Sequence, residues 1–271
     1  MIQIPMPKLY KQFLVMPEIP DIEVFARNLK KLLTGKQVSK VKVVNGKKLK
    51  NTAKELSQAL EGQKILDVFR SGKELRIQFS KNILMGIHLM LTGDLYFLEE
   101  PNERKSTIIE LQFKDGTYLS LTDRMKNANV TLNPVDKGGI DALDLNYKTL
   151  KEILNRKAAV KNVLLDQDII RGIGNSYSDE ILWQTRISPF SKANAIPDEK
   201  IKELATTIKK VLKGATEKIY KNHPGKISSE VKDYLQIHTK KKTKSPTGKP
   251  ILTAERGMLL TYYTDEQVLY E

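Results

Sequence analysis

The stretch Met16-Pro17-Glu18-Ile19-Pro20-Asp21 places a proline nitrogen directly beside a carboxylate. If translation starts at Met16 and the methionine is removed, Pro17 carries a free secondary amine. Such an amine has a pKa of about 8, well below that of lysine, so much of it is unprotonated and nucleophilic at neutral pH. Glu18 next to it is a group able to move protons. Taken alone, a proline-rich hexapeptide reads first as a turn or the start of a strand. A second feature lies far downstream, where Gly172-Ile173-Gly174-Asn175 opens a helix at Ser176. Its glycines let the backbone turn sharply and approach a ligand closely. The N–H groups of the turn and the Asn175 amide suit a phosphate. Lys157 and Lys161, on the helix before it, add positive charge. An isolated Gly-x-Gly is also an ordinary turn between helices.

The elements that must position these groups fall into two textures. Apolar residues at Ile22, Val24-Phe25, Leu29 and Leu32-Leu33 predict an amphipathic helix that ends before Gly35 and packs on a sheet. From Val38 to about Leu132 the spacing predicts short strands, including Ile65–Phe69, Leu75–Phe79, Asp94–Leu98 and Ile108–Phe113. Turn signals at Ser71-Gly72-Lys73, Thr92-Gly93-Asp94 and Asp115-Gly116 separate them. Pro134 to Gly139 reads as a linker. Helical periodicity then covers Leu145–Leu154, Ala158–Leu165, Ser176–Thr185 and Asp198–Tyr220, and Pro250–Leu269 reads as a hairpin with Arg256-Gly257 near its bend.

Composition narrows the partner. Forty-six basic against thirty-two acidic residues give a net charge of +14 over 271 residues, which points to a polyanion, most commonly nucleic acid. A basic protein can also simply be basic. No apolar run approaches a membrane span, and Met1 to Val15 lacks the apolar core and cleavage site of a signal peptide. With no cysteine there is no disulfide and no thiolate metal site, and the compartment reads as cytoplasmic. His88, His223 and His238 are too scattered to form a zinc site, so neither a metal nor a cofactor is expected.

Four ordered motifs make the reading specific. Met16 to Glu23, Ser71-Gly72-Lys73, His88-Leu89-Met90-Leu91-Thr92-Gly93 and Leu164 to Ile181 resemble, in that order, motifs of the formamidopyrimidine-DNA glycosylase / endonuclease VIII family of base-excision repair enzymes. The last of them is similar to the family's helix–two-turn–helix DNA clamp, and the likeness runs from Met16 to about Thr264. The resemblance implies a bifunctional reaction. The Pro17 amine attacks C1′ of a damaged nucleotide swung out of the duplex, releases the base and leaves a Schiff base. β- and δ-elimination then cut the strand. It implies Glu18 as acid/base and Lys73 as the cation that holds the adjacent phosphate and helps set the protonation of Pro17. Asn175 and Lys161 become phosphate contacts, Leu91 stands where a methionine fills the gap left by the extruded base, and Asp21 takes the place of a family carboxylate.

The departures from the family pattern lie at two places. The C-terminal zinc finger has lost its cysteines, and Lys244-Ser245, Thr247-Gly248, Thr264 and Glu266-Gln267 stand in their place, so a metal-free hairpin is expected. The finger's phosphate-binding arginine corresponds to Leu259 without a gap, or to Arg256 if the hairpin has shifted. The intercalating loop reads Asp123-Arg124-Met125-Lys126-Asn127, without its aromatic wedge but with Lys126 as a backbone contact.

The expectation is an α+β protein. Residues 1–15 form an extension absent from the mature protein, 16–136 a helix-flanked β-sandwich carrying catalysis, 140–220 the helix–two-turn–helix domain, and 221–271 the zincless-finger hairpin. Its partner is damaged double-stranded DNA, bound by a cytoplasmic, nucleoid-associated monomer, with affinity falling as salt rises. The segment Asn222 to Leu235 is shorter than the capping loop of the 8-oxoguanine branch, which leans towards oxidised pyrimidines or ring-opened purines. Two rivals stand beside this reading. One is a family member that binds damaged or abasic DNA without catalysis, favoured if the extension is retained on Pro17. The other is a general basic DNA binder with no lesion preference.

Overall fold

A computed structural model describes residues 16–136, 138–256 and 259–271, the side chain of Arg256 excepted. The first helix, α1 (Ile19–Leu33), begins three residues before its periodic apolar pattern. Pro20 fits the first turn, where no intrahelical N–H is needed, and Lys30 and Lys31 sit in the last turn, where the helix dipole favours cations. A sandwich of two four-stranded sheets follows. One has the order β1-β6-β7-β5, from β1 (Val38–Val43), β6 (Thr107–Phe113), β7 (Tyr118–Asp123) and β5 (Gly93–Leu98). The other has the order β2-β3-β4-β8, from β2 (Ile65–Ser71), β3 (Glu74–Phe79), β4 (Leu84–His88) and β8 (Asn129–Leu132). Their inward residues, among them Val41, Ile77, Phe79, Leu111 and Leu121, share one core with Phe25, Leu29 and Leu33 of α1.

One helix within this region has no counterpart in the strand reading. It is α2 (Ala53–Leu60), whose start is capped reciprocally: Glu55 N–H donates to Thr52 Oγ1 at 3.2 Å and Thr52 N–H donates to Glu55 Oε2 at 2.7 Å. Leu56 and Leu60, four apart, are the two side chains it buries in the sandwich core.

The second core belongs to helices α3 (Tyr147–Leu154), α4 (Val160–Leu165), α5 (Asn175–Gln184) and α6 (Asp198–Asn222). A two-residue parallel pair, β9 (Ile140–Asp141) with β10 (Ile170–Arg171), ties the end of the linker to the turn before α5. The chain closes with the antiparallel hairpin β11 (Leu252–Arg256) and β12 (Leu259–Tyr263).

Helix α1 joins the halves. Ile19 lies in the helical core, Phe25 and Leu29 lie in the sandwich core, and Val24 packs with Ile219 of α6 and Val231. Polar contacts fasten the same seam. Arg70 makes two bonds to the Asp141 carboxylate, at 2.6 and 3.2 Å, and a third to Glu23 at 3.1 Å. With the Arg70 side chain only 7 % exposed, this bidentate pair fixes the β2–β3 hairpin against the helical half. Among the described residues no helix is long and apolar enough to cross a membrane.

Candidate active site

Glu18 precedes α1 in extended conformation, and the chain crosses there to the turn ahead of α5, where Ile19 N–H donates to Gly172 O at 3.3 Å. The Glu18 carboxylate, 2 % exposed, sits on the N-terminus of α5. It accepts N–H groups from Gly174 at 2.5 Å, Ser176 at 2.9 Å and Tyr177 at 3.3 Å. These donors have no partner within their own helix, so the carboxylate satisfies them while the helix dipole favours its charge. Burial nevertheless dominates and raises the Glu18 pKa, against the opposing pull of the Lys73 ammonium and the amides of Gly174 and Ser176. A carboxyl in this state is suited to deliver a proton.

Lys73 comes from the tight turn between β2 and β3, whose last pair is Ser71 with Glu74. Gly72 supplies the left-handed residue at φ +60°, and its N–H donates to Asp141 Oδ2 at 3.0 Å, so the turn is held as well as folded. Burial lowers the Lys73 pKa, with Glu18 opposing. The two side chains converge over Gly174. A Cβ there would lie 2.5 Å from Glu18 Cδ and 2.8 Å from Lys73 Nζ. Gly174 has φ −124°, which any residue adopts, so the glycine is required for space alone.

Behind Glu18, the Asp21 carboxylate accepts from Val231 N–H at 2.9 Å and from Glu18 N–H at 3.4 Å. Burial pushes its pKa up to about 7, helped by Glu230 and Glu18 and opposed by the Val231 hydrogen bond. The clamp thereby joins the start of α1 to the segment after α6.

A cavity of about 680 Å³ opens on this floor, lined by Glu18, Lys73, Leu91, Asn175, His238 and Leu259, among others. Met16 is also part of its wall. The sequence-predicted Glu18, Lys73, Asn175 and Leu91 are thus brought to one cavity, and Pro17 lies in the chain between two of its lining residues, Met16 and Glu18. Asn175 donates through Nδ2 to Leu260 O at 3.0 Å, while its buried Oδ1 has no partner among the described residues. Leu91, 38 % exposed, projects from the loop between β4 and β5.

The remaining sequence-predicted contacts are placed differently. Lys157 is exposed, but on the loop between α3 and α4 and not on a helix. Lys161 turns inward: its amine donates to Asp179 Oδ1 at 2.6 Å and to Thr261 Oγ1 at 2.8 Å. Helical spacing put Lys161 on a face without saying that the face packs against α5 and β12. Lys126 is exposed on the turn after β7. That turn is organised by the buried Asp123 carboxylate, which accepts N–H groups from Met125 at 2.9 Å and from Asn127 and Ala128, both at 2.6 Å, together with the Thr92 hydroxyl. The Leu91 loop and the Arg124–Asn127 loop are therefore coupled through one side chain. Arg256 closes β11 opposite Leu259, and its side chain lies outside the described residues.

The hairpin is fastened by side chains that the motifs did not single out. Glu180 accepts three successive N–H groups, from Gln236, Ile237 and His238, at 2.8 to 2.9 Å. Asp179 holds Lys161 on one oxygen, and His238 Nδ1 at 2.7 Å and Tyr262 N–H at 2.8 Å on the other. Trp183, Ile237 and Tyr262 form a small core beside them. Where the family motif has cysteines, Thr247 donates to Glu266 Oε2 at 2.7 Å, Thr264 donates to the same oxygen at 3.3 Å, and Ser245 pairs with Thr247 at 2.7 Å. Arg186 adds an ion pair to that oxygen at 2.8 Å. Hydroxyls around one carboxylate knit the strand ends together. Among the described residues no group of three or more His, Cys, Asp or Glu side chains is arranged to hold a metal.

Comparison with known proteins agrees with this layout. A family model described as the formamidopyrimidine-DNA glycosylase N-terminal domain matches residues 16–130, and one described as the formamidopyrimidine-DNA glycosylase H2TH domain matches residues 140–223. A formamidopyrimidine-DNA glycosylase of Ligilactobacillus salivarius is 35% identical over 216 residues, covering 74% of this chain and 78% of its own. One of Pediococcus pentosaceus is 36% identical over 218 residues with the same coverage of 74% and 78%. Among solved structures, a complex of Lactococcus lactis Fpg with DNA containing an abasic site superposes with a TM-score of 0.80 at 22% identity, covering 92% of this chain and 98% of that one. A structure of MutM with carbocyclic 8-oxo-G containing DNA gives a TM-score of 0.81 at 24% identity and the same coverage, 92% and 98%. At these identities the superpositions show a shared fold.

Proposed function

Because this chain belongs to the formamidopyrimidine-DNA glycosylase family, we propose that Pro17 is the nucleophile of its reaction and that Glu18 and Lys73 serve it. The protein is a DNA glycosylase for oxidised bases with AP lyase activity, and DNA is its partner. The observation that carries the residue roles is the convergence of the Glu18 carboxyl and the Lys73 ammonium over Gly174, one residue from the Pro17 nitrogen.

In the chain as it stands that nitrogen is an amide bonded to Met16, with no lone pair to give. The active form begins at Pro17. Its amine then adds to C1′ of the flipped nucleotide, and the base departs with a proton from the buried Glu18. The added nitrogen gives its proton to O4′ as the C1′–O4′ bond breaks, and the iminium so formed acidifies the C2′ hydrogen and opens the way to β- and then δ-elimination. Lys73 balances the neighbouring phosphate. The Asn175 amide, already at the cavity wall, supports the same backbone, while Lys161 acts indirectly by holding Asp179 and the hairpin. Leu91 fills the space of the extruded base. Lys126, Lys157 and Arg256 contact the flanking backbone of a duplex bound by a cytoplasmic, nucleoid-associated monomer. The short segment 222–235 leaves the cavity open to oxidised pyrimidines and ring-opened purines.

The test uses protein beginning at Pro17 and a duplex carrying one oxidised base. The wild type is expected to release the base and cut the strand. Glu18→Gln should lower base release by about a hundredfold, the scale of general acid catalysis, and spare cleavage of a preformed abasic site. Equal loss on both substrates would remove Glu18 from the acid role.

A further inference from the structure

His238 is 7 % exposed and lines the catalytic cavity. Three contacts fix its ring. Nδ1 lies 2.7 Å from Asp179 Oδ2, the residue's own N–H donates to Glu180 Oε1 at 2.8 Å, and the ring tilts against Tyr262 with centroids 4.6 Å apart. Asp179 is itself held by Lys161 at 2.6 Å. With Nδ1–H donated to a buried carboxylate, Nε2 is the nitrogen left for the cavity. A carboxylate that orients an imidazole towards a reacting centre is an arrangement for proton transfer. The wall of the same cavity also carries Lys73 and Lys242, cations suited to an anion.

We propose that His238 is the acid that protonates the departing phosphate in strand cleavage, an inference resting on the glycosylase and lyase reading above. Solvent water takes the C2′ proton. The electrons of that C–H bond form the C2′–C1′ double bond of an enamine with the Pro17 nitrogen. The C3′–O bond then breaks, its electron pair leaves on the phosphate oxygen, and the Nε2 proton of the imidazolium goes to that oxygen. Water reprotonates the neutral ring. The charged and titratable groups that face the ring are Asp179 and Glu180 on α5, Glu18 ahead of α1, Lys161 of α4 through Asp179, Tyr262 on β12, and Glu230 in the segment before it.

The experiment compares wild type, His238→Gln and His238→Ala, each beginning at Pro17. Base release is measured on an oxidised-base duplex, and incision and borohydride trapping on a preformed abasic duplex. Incision should fall about tenfold further than base release, the low side of general-acid effects because phosphate is a good leaving group. Trapped adduct should persist, since the iminium forms but is resolved slowly. Added imidazole should restore part of the incision by His238→Ala. Parallel losses of release and incision, or normal incision by a variant with an unchanged melting temperature, would overturn the proposal. A wild type that releases no base and traps no adduct would instead overturn the catalytic reading on which it rests.

Discussion

The floor of the cavity and the hairpin beside it are both fastened to α5, by opposite means. At the first turn of α5 the backbone does the holding, as N–H groups of Gly174, Ser176 and Tyr177 grip Glu18 and the missing side chain of Gly174 makes room for Lys73. One turn further on, side chains do the holding, as Asp179 and Glu180 collect Lys161, His238, Tyr262 and the N–H groups of residues 236–238. The first device tolerates no extra atom, whereas the second tolerates no missing charge.

Breaking the second device has the largest expected effect on stability. Asp179→Asn leaves the Lys161 ammonium buried without its carboxylate, and losing one partner of a buried pair costs about 3–5 kcal/mol. The loss should concentrate in the hairpin, read as faster hydrogen exchange of the β11 and β12 amides. Uniform exchange across the chain would mean that the hairpin is held elsewhere.

The floor is broken by adding atoms. Gly174→Ala drives a Cβ to within 2.5 Å of Glu18 Cδ, so carboxylate and ammonium must separate. Misplacing a catalytic group by about an ångström costs on the order of a hundredfold in rate, with about 1–3 kcal/mol of stability lost to overpacking. Steady-state incision and a thermal melt measure the two. Full activity in Gly174→Ala would show that the close approach is not needed.

A smaller effect sharpens the boundary between the regions. Asp21 has a folded pKa of about 7 against an ordinary 3.8, so the folded state holds its proton more tightly. The stability it contributes is full below about pH 4 and lost as pH rises through about 7. Asp21→Asn, which stays neutral, should flatten the fall of melting temperature between about pH 4 and pH 7. An unchanged slope would place the titration elsewhere.

These contrasts also explain what could be read in the sequence. Pro17, Glu18 and the Gly172–Asn175 turn are legible because backbone chemistry leaves local marks: prolines at a helix start, and glycines where a side chain does not fit. The helix α2 carried such a mark as well, Thr52-x-x-Glu55 before Leu56, and was obscured by the alternating strands on either side of it. The hairpin anchors carry none. His238 meets Asp179 across 59 residues and Lys161 meets it across 18, so only the folded chain shows that a scattered histidine belongs to the cavity and that a helical lysine faces inward. The hydroxyl and carboxylate cluster of Ser245, Thr247, Thr264 and Glu266 reads in sequence only as absent cysteines.

Catalysis through a free amine on Pro17 can be seen by borohydride trapping on an abasic duplex. Protein beginning at Pro17 should yield a covalent protein–DNA adduct, because reduction fixes the iminium as a stable amine. Protein that retains residues 1–16 should bind the same duplex and yield none, because its Pro17 nitrogen is an amide. An adduct of equal yield from the longer protein, or tight binding without any adduct from protein beginning at Pro17, would contradict the account.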